Sequence, residues 1–303
     1  MATSHNRRIS CYKSRSSFGK NRIILAIYRK NVLGKKKKII SEGFLFFTFI
    51  DSATVYKNEE ALGQILKEIF EDESFDVTRQ DVFITSMVNY ATPQHQGYEK
   101  CYQAVQDSLK RFGLDYFDLY LIHWPGTSKT KLSDPINQEN RDESYRALEQ
   151  LYNESKIKHI GVSNYTTRHL RHLLDTCTVK PHLHQFELHP CLYQPDILEL
   201  CQANQIQVQA YSSLGEGKLI NGEVDLVEIK HIAEKHNVSK ALVLLRWAIQ
   251  HDNIIIPKSK SPARVSENAK VFDFEISIED MESLDQIHKA KPFRFCWDPT
   301  EVY

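Results

Sequence analysis

The chain has 303 residues, 41% hydrophobic and 26% charged, which is enough for one large core or two small ones. Its formal net charge is zero, yet residues 1–40 hold twelve Lys and Arg and no acid, which leaves 27 basic against 39 acidic residues, a net of −12, in positions 41–303. No apolar run approaches the about 18 residues of a membrane helix, and six scattered cysteines (Cys11, Cys101, Cys177, Cys191, Cys201, Cys296) form no Cys-x-x-Cys pair, which excludes a membrane span and argues against zinc.

No secretory signal is visible, so reduced thiols in a cytoplasmic protein are expected. Upstream of residue 44 only Arg22-Ile-Ile-Leu-Ala-Ile-Tyr28 reads as a strand, and Gly34-Lys-Lys-Lys-Lys38 makes a poor amphipathic helix. The run Phe44-Leu-Phe-Phe-Thr-Phe-Ile50 suits a buried strand. A regular alternation of short apolar runs and longer amphipathic stretches begins there. Strands are predicted at 47–52, 82–88, 117–122, 157–163, 182–188, 206–212 and 254–257. Between them, Leu62, Leu66, Ile69 and Phe70 share one helical face, as do Tyr145, Leu148, Leu151 and Tyr152. Asn58-Glu-Glu and Ser261-Pro-Ala-Arg are plausible helix starts. Stretches 225–236 and 239–250 are helical in succession, so one of them lies outside the repeat. With no internal linker, the expectation is a basic segment over 1–43 and one domain over 44–303.

Strands alternating with helices predict parallel strands joined by crossovers, either a (β/α)₈ TIM barrel or an open doubly wound sheet. No Gly-x-Gly-x-x-Gly follows the first strand and no Walker sequence occurs, which counts against the open sheet. In a barrel the polar strand ends meet at one mouth. Here they are Asp51, Thr85-Ser86-Met87, His123, Ser163-Asn164, Gln185, Tyr211-Ser212 and Lys258-Ser259.

Five segments at those ends carry a resemblance. They are Asp51-Ser-Ala-Thr-Val-Tyr56-x-Asn-Glu59, Asp118-Leu-Tyr-Leu-Ile-His-Trp-Pro125, Ile160-Gly-Val-Ser-Asn-Tyr165, Tyr211-Ser-Ser-Leu-Gly215, and Ile256-Pro-Lys-Ser259 followed by Arg264 and Glu267-Asn268. In this order they resemble the aldo-keto reductases, from about residue 50 to Arg294-Phe-Cys-Trp-Asp-Pro299. The resemblance implies a (β/α)₈ barrel that binds NADPH without a Rossmann fold. It also implies hydride transfer to a small-molecule carbonyl, with a tyrosine hydroxyl as proton donor.

The resemblance assigns roles, and the residue types alone keep a plainer one open for each. Tyr56 is the implied general acid, or else a core tyrosine with a satisfied hydroxyl. His123 orients the carbonyl and Trp124 lines the substrate pocket; alone, each reads as an ordinary buried ring. Ser163, Asn164 and Gln185 clamp the nicotinamide carboxamide, for which they supply donors and acceptors, or else they form strand-end turns. Tyr211 stacks under the ring, or is a rim aromatic. Ser212 and Leu214 follow it in the cofactor segment. Lys258, Ser259 and Arg264 hold the 2′-phosphate, and Glu267 and Asn268 the adenine edge, or this is a solvated helix start. A monomer that binds neither nucleic acid nor membrane is expected.

Two departures stand out. The family pattern places a lysine where this chain has Met87. That lysine, held by the residue corresponding to Asp51, lowers the tyrosine pKa. Met87 fills the shape of the stem without the charge, so Asp51 is expected to bind a proton or water or to turn elsewhere. Weak or absent reduction follows, with alcohol oxidation hurt more. A non-catalytic nicotinamide-binding protein is the alternative. The other departure is the beginning of the chain, where the family's first strand, glycine run and arginine are missing. Residues 1–40 read as a mitochondrial transit peptide, a nucleic-acid patch, or the translation of a pyrimidine tract at an intron end. The third explains the missing strand and is preferred.

Overall fold

Side-chain alternation along short strands determines the architecture. The computed structural model describes residues 24–25, 49–73, 77–88, 96–259 and 261–303. The four-lysine run and most of the basic segment, with its three readings, lie outside the described residues.

The strands are β1 (Ile24–Leu25), β2 (Phe49–Asp51), β3 (Phe83–Val88), β4 (Leu119–Ile122), β5 (Ile160–Ser163), β6 (Leu183–Glu187), β7 (Gln207–Tyr211) and β8 (Ile254–Ile255). They pair in chain order in one sheet. From β2 to β8 every pairing is parallel, which gives seven parallel strands. The helices between them include α1 (Glu59–Glu71), α2 (Tyr98–Phe112), α3 (Ile136–Asn153), α4 (Thr167–Thr176) and α5 (Pro195–Ala203). Next come a short α6 (Lys218–Asn221), then α7 (Val227–His236) and α8 (Lys240–Gln250) with no strand between them, α9 (Pro262–Asn268) and α10 (Ile278–Ala290). The fold is a curled (β/α)₈-type half-barrel without a regular first strand.

The predicted first strand departs from the repeat. Ile24 and Leu25 pair with Asp51 and Ile50, but antiparallel. A parallel barrel strand must arrive through a crossover, so this pair cannot begin the repeat. No β8–β1 pairing closes the sheet among the described residues.

Period-two alternation sorts the strand residues into an outward and an inward set. Ile84, Val88, Tyr120, Ile122, Val162, Phe186, Val208 and Ile255 pack outward with helix residues such as Leu62, Leu109, Leu148 and Trp247. Met87, Leu119, Leu121, Leu183 and Ile254 point inward and form a smaller cluster with Ala53. Phe49 and Ile256 form another, against Phe83 and Tyr211. Gly161 faces inward on β5, where a Cβ would lie 2.2 Å from the Leu183 carbonyl oxygen, so no side chain fits. Asp118 begins its segment at the other end of the barrel from His123. There it accepts from Ile84 N at 3.0 Å and pairs with Arg79 at 2.8 Å.

Candidate active site

The inward rows end at the mouth in a cavity of about 870 Å³. It gathers Asp51, Tyr56, His123, Trp124, Asn164, Gln185, Tyr211, Ser212, Leu214, Lys258, Ser259 and Arg264 from β2, β4, β5, β6, β7 and the segment after β8. Four predicted site residues lie elsewhere. Met87 is fully buried beneath the floor. Ser163 is fully buried, with its Oγ accepting from Asn164 Nδ2 at 3.0 Å. Asn268 is buried, and Glu267 opens instead on a separate cavity beside α7 and α8.

Tyr56 is held by the turn that follows β2. Asp51 ends the strand, Ala53 packs in the interior, and Thr54–Tyr56 form one 3₁₀ turn. The turn is braced where Thr54 Oγ1 donates to the Met87 carbonyl at 3.1 Å. Its other support is Glu59, read in the sequence as the end of the Asp51–Glu59 segment and as part of a helix start, with no role of its own. The buried Glu59 carboxylate accepts from Ser86 Oγ at 2.7 Å, Ser108 Oγ at 2.6 Å and Arg111 Nε at 2.7 Å. It thereby ties α1 to β3 and α2. Asn58, the expected cap of α1, accepts from Ser52 Oγ at 2.8 Å rather than from the helix.

The Tyr56 ring packs against the Met87 cluster and meets His123 edge-on, with centroids 6.1 Å apart. Burial pushes the His123 imidazole down to about 4, so it is neutral at physiological pH. It can therefore donate or accept a hydrogen bond at a carbonyl without bringing a positive charge.

Asp51 forms no ion pair among the described residues; Gln185 Nε2 donates to its Oδ2 at 2.9 Å. Burial pushes the carboxyl up to about 7, and the Gln185 hydrogen bond offsets only part of that. An unpaired carboxylate in a low-dielectric interior favours its neutral form. The same Gln185 amide also donates to Gln209 Oε1 at 2.5 Å. Gln209 Nε2 and Thr85 Oγ1, both fully buried, have no hydrogen-bond partner. Thr85 pairs in register with Asp51, so the layer beneath the cavity floor is polar but incompletely satisfied.

At the other wall, Asn164 donates to the His123 carbonyl at 2.9 Å and accepts from the Tyr211 hydroxyl at 2.6 Å. Asn164 and Ser212 both adopt positive φ, 63° and 50°, as strand ends that turn sharply. The C-terminal residues Phe295, Cys296 and Trp297 complete the cavity, and Trp297 meets Trp124 edge-on at 6.0 Å. Residues 126–140 do not line it. Gln209 and Glu187 escaped the sequence reading, although both follow from alternation, since they share inward rows with Tyr211 and Gln185.

Among the described residues no helix is long and apolar enough to cross a membrane, and no His, Cys, Asp or Glu cluster is arranged to hold a metal. Residues 44–289 match the aldo/keto reductase family. The glyoxal reductase of Bacillus subtilis (strain 168) is 45% identical over 240 residues, covering 79% of this chain and 78% of that protein. An aldo-keto reductase solved in complex with NADPH superposes with a TM-score of 0.73 at 30% identity, covering 86% of this chain and 80% of that one. A Bombyx mori aldo-keto reductase in complex with NADP gives 0.71 at 29% identity, with 82% and 80% covered.

Proposed function

The chain belongs to the aldo/keto reductase family, and on that premise we propose that it is an NADPH-dependent reductase of aldehydes or ketones whose turnover is held down by Met87. Family membership and the glyoxal reductase relative support carbonyl reduction by an oxidoreductase. The NADPH and NADP complexes of the two structural relatives support the cofactor. The observation that carries the reading is the single cavity that holds Tyr56, His123, Asn164, Tyr211 and Arg264 together.

The residues present fit such a cofactor. Asn164 and Gln185 offer amides to a carboxamide, and the Tyr211 ring borders the same wall. Lys258, Ser259 and Arg264 offer cations and a hydroxyl to a phosphate. When bound, reduced nicotinamide supplies the hydride to the carbonyl carbon. Neutral His123 donates a hydrogen bond to the carbonyl oxygen and orients it. The Tyr56 hydroxyl passes its proton to that oxygen, which leaves a tyrosinate and the product alcohol. With no cation at position 87, tyrosinate is poorly stabilised. Asp51, neutral below about 7, lines the same cavity and carries a proton that it can lend to this layer.

The Asp51 environment keeps the second reading in view. Asp51 forms no ion pair among the described residues, a loss that a binding protein without turnover could tolerate. One experiment separates the two: titrate NADPH by fluorescence, then measure oxidation of bound NADPH by glyoxal in the wild type and in Tyr56→Phe. Turnover abolished by Tyr56→Phe supports the reductase. NADPH binding with no turnover in either protein supports the non-catalytic reading, and no NADPH binding rejects both.

A further inference from the structure

Glu187 is the third inward residue of β6, one step beyond Gln185. It is fully buried. Its carboxylate faces away from the strand layer, toward the C-terminal segment. Oε1 accepts from Phe295 N at 2.7 Å and from His189 Nε2 at 2.8 Å, and Oε2 accepts from Cys296 N at 3.0 Å. Burial raises the carboxyl pKa, but the His189 hydrogen bond and the two backbone N–H groups together hold it below the usual glutamate value. Arg294 Nη1 adds a cation at 3.9 Å.

The segment held in this way walls the cavity. The Phe295 ring rests edge-on against His189 at 5.0 Å and lies over Gly215, where a Cβ would come within 2.6 Å of it. Cys296 Sγ reaches Ser212 Oγ at 3.4 Å. Trp297 closes on Trp124. Successive N–H groups of an irregular segment have no partner in a ladder, so a buried carboxylate that takes two of them fixes the backbone more firmly than ring contacts can.

We infer that Glu187 is a positioning residue that fixes the Phe295–Trp297 wall and, through it, selects among carbonyl substrates by size. The wall itself stands on geometry alone. The selectivity rests on the reductase reading proposed above. Glu187 touches neither the proposed proton donor nor the reacting carbonyl, so its loss acts on the wall and not on the chemical step.

Two readouts test this. The first needs no turnover: tryptic cleavage after Arg294, whose following peptide N–H is the one Glu187 accepts. Glu187→Gln should speed that cleavage by about tenfold or more, because local opening becomes easier, while cleavage at other sites stays unchanged. Cys296→Pro deletes one donor from the tail side and leaves the barrel interior intact, so it should speed the same cleavage even if Glu187→Gln folds poorly. An unchanged cleavage rate in both variants would overturn the anchor. The second readout is selectivity. In Glu187→Gln, KM for a bulky aromatic aldehyde should shift by about fivefold or more with kcat held within about twofold, while glyoxal, too small to reach the wall, is unaffected. Faster cleavage with unchanged selectivity would overturn the substrate role. If neither the wild type nor Met87→Lys turns over any carbonyl, the reductase reading fails, and the cleavage assay still decides the anchor.

Discussion

Replacing Met87 by lysine tests the proposed role of a missing charge directly. Met87 is fully buried in a cluster with Leu119, Leu121, Leu183 and Ile254, against which the Tyr56 ring packs. A lysine has the same unbranched stem, one heavy atom longer, so Met87→Lys puts an ammonium one atom beyond the methionine methyl, on the inward row it shares with Thr85, the register partner of Asp51. The difference between the ordinary aspartate value of 3.8 and about 7 corresponds to about 4 kcal/mol of preference for the neutral carboxyl. An ammonium about 4 Å away at an effective dielectric of about 20 contributes about 4 kcal/mol of attraction, enough to ionise Asp51 at neutral pH. Once ionised and paired, Asp51 no longer depends on Gln185.

The expected result is a gain of about 10²–10³ in turnover, the size of one preorganised electrostatic contact. Alcohol oxidation should gain more than reduction, because oxidation requires tyrosinate as the base and a cation stabilises that form. NADPH binding should also tighten as Gln185 is released. The assay follows NADPH consumption with glyoxal and NADP reduction with the corresponding alcohol, beside a thermal unfolding curve for each protein. If Met87→Lys unfolds at the wild-type temperature or above and gains nothing in either direction, position 87 is not what limits the enzyme, and the electrostatic argument is wrong.

Asp51→Asn should alter the pH dependence of stability in a defined window. The folded pKa is raised, so the native state holds a proton that the unfolded state has released between about 4 and 7, and wild-type stability from this group falls across that interval. Relative to wild type, Asp51→Asn should therefore gain up to about 4 kcal/mol as pH rises from about 4 to about 7, read from urea unfolding at a series of pH values; a constant difference would show that the carboxyl is not perturbed. His123 has the opposite sign, since its folded value near 4 lies below the unfolded 6.5, and its contribution rises with pH over that range; the mutant-minus-wild-type comparison cancels it. Arg264→Ala should weaken NADPH binding by about tenfold or more and NADH binding by less than about threefold, since it removes a charge-assisted contact to the 2′-phosphate alone; equal losses for both would move that phosphate elsewhere. Glu59→Gln should cost about 3 kcal/mol in urea unfolding, because it leaves Arg111 unpaired and breaks hydroxyl contacts to β3 and α2; a change under about 1 kcal/mol would mean the Tyr56 turn is held by Thr54 alone.

What was legible in the sequence follows period and spacing. The seven predicted strands contain the seven observed parallel ones, shorter by one to three residues at their ends, because a pattern of apolar residues marks burial while strand limits depend on pairing. Ile157 shows the difference: it is buried and bridges Phe117, yet β5 begins at Ile160. Twelve of the predicted site residues share one cavity because they sit at strand ends, and parallel strands bring their ends to one mouth. Glu267 and Asn268 do not join them: they lie on α9, whose rotation against α8 is a packing outcome that spacing along the chain does not encode.

The residues that escaped notice share a cause. Gln209 and Glu187 lie one inward step from a recognised residue, so alternation marks them as interior, but a polar side chain on a strand reads equally well as a solvated one until the sheet is known to be curled. Once it is, each inward polar residue must find a partner or leave one unsatisfied. Glu187 finds the tail. Gln209 finds Gln185, and Gln185 finds Asp51. On the proposed reading that last link follows from Met87: with no lysine beside it, Asp51 takes the Gln185 amide, the one proposed to hold the cofactor. On that reading Met87 would act twice, on the proposed proton donor through the missing charge and on the proposed cofactor clamp through the engaged amide. Restoring the charge should repair both together.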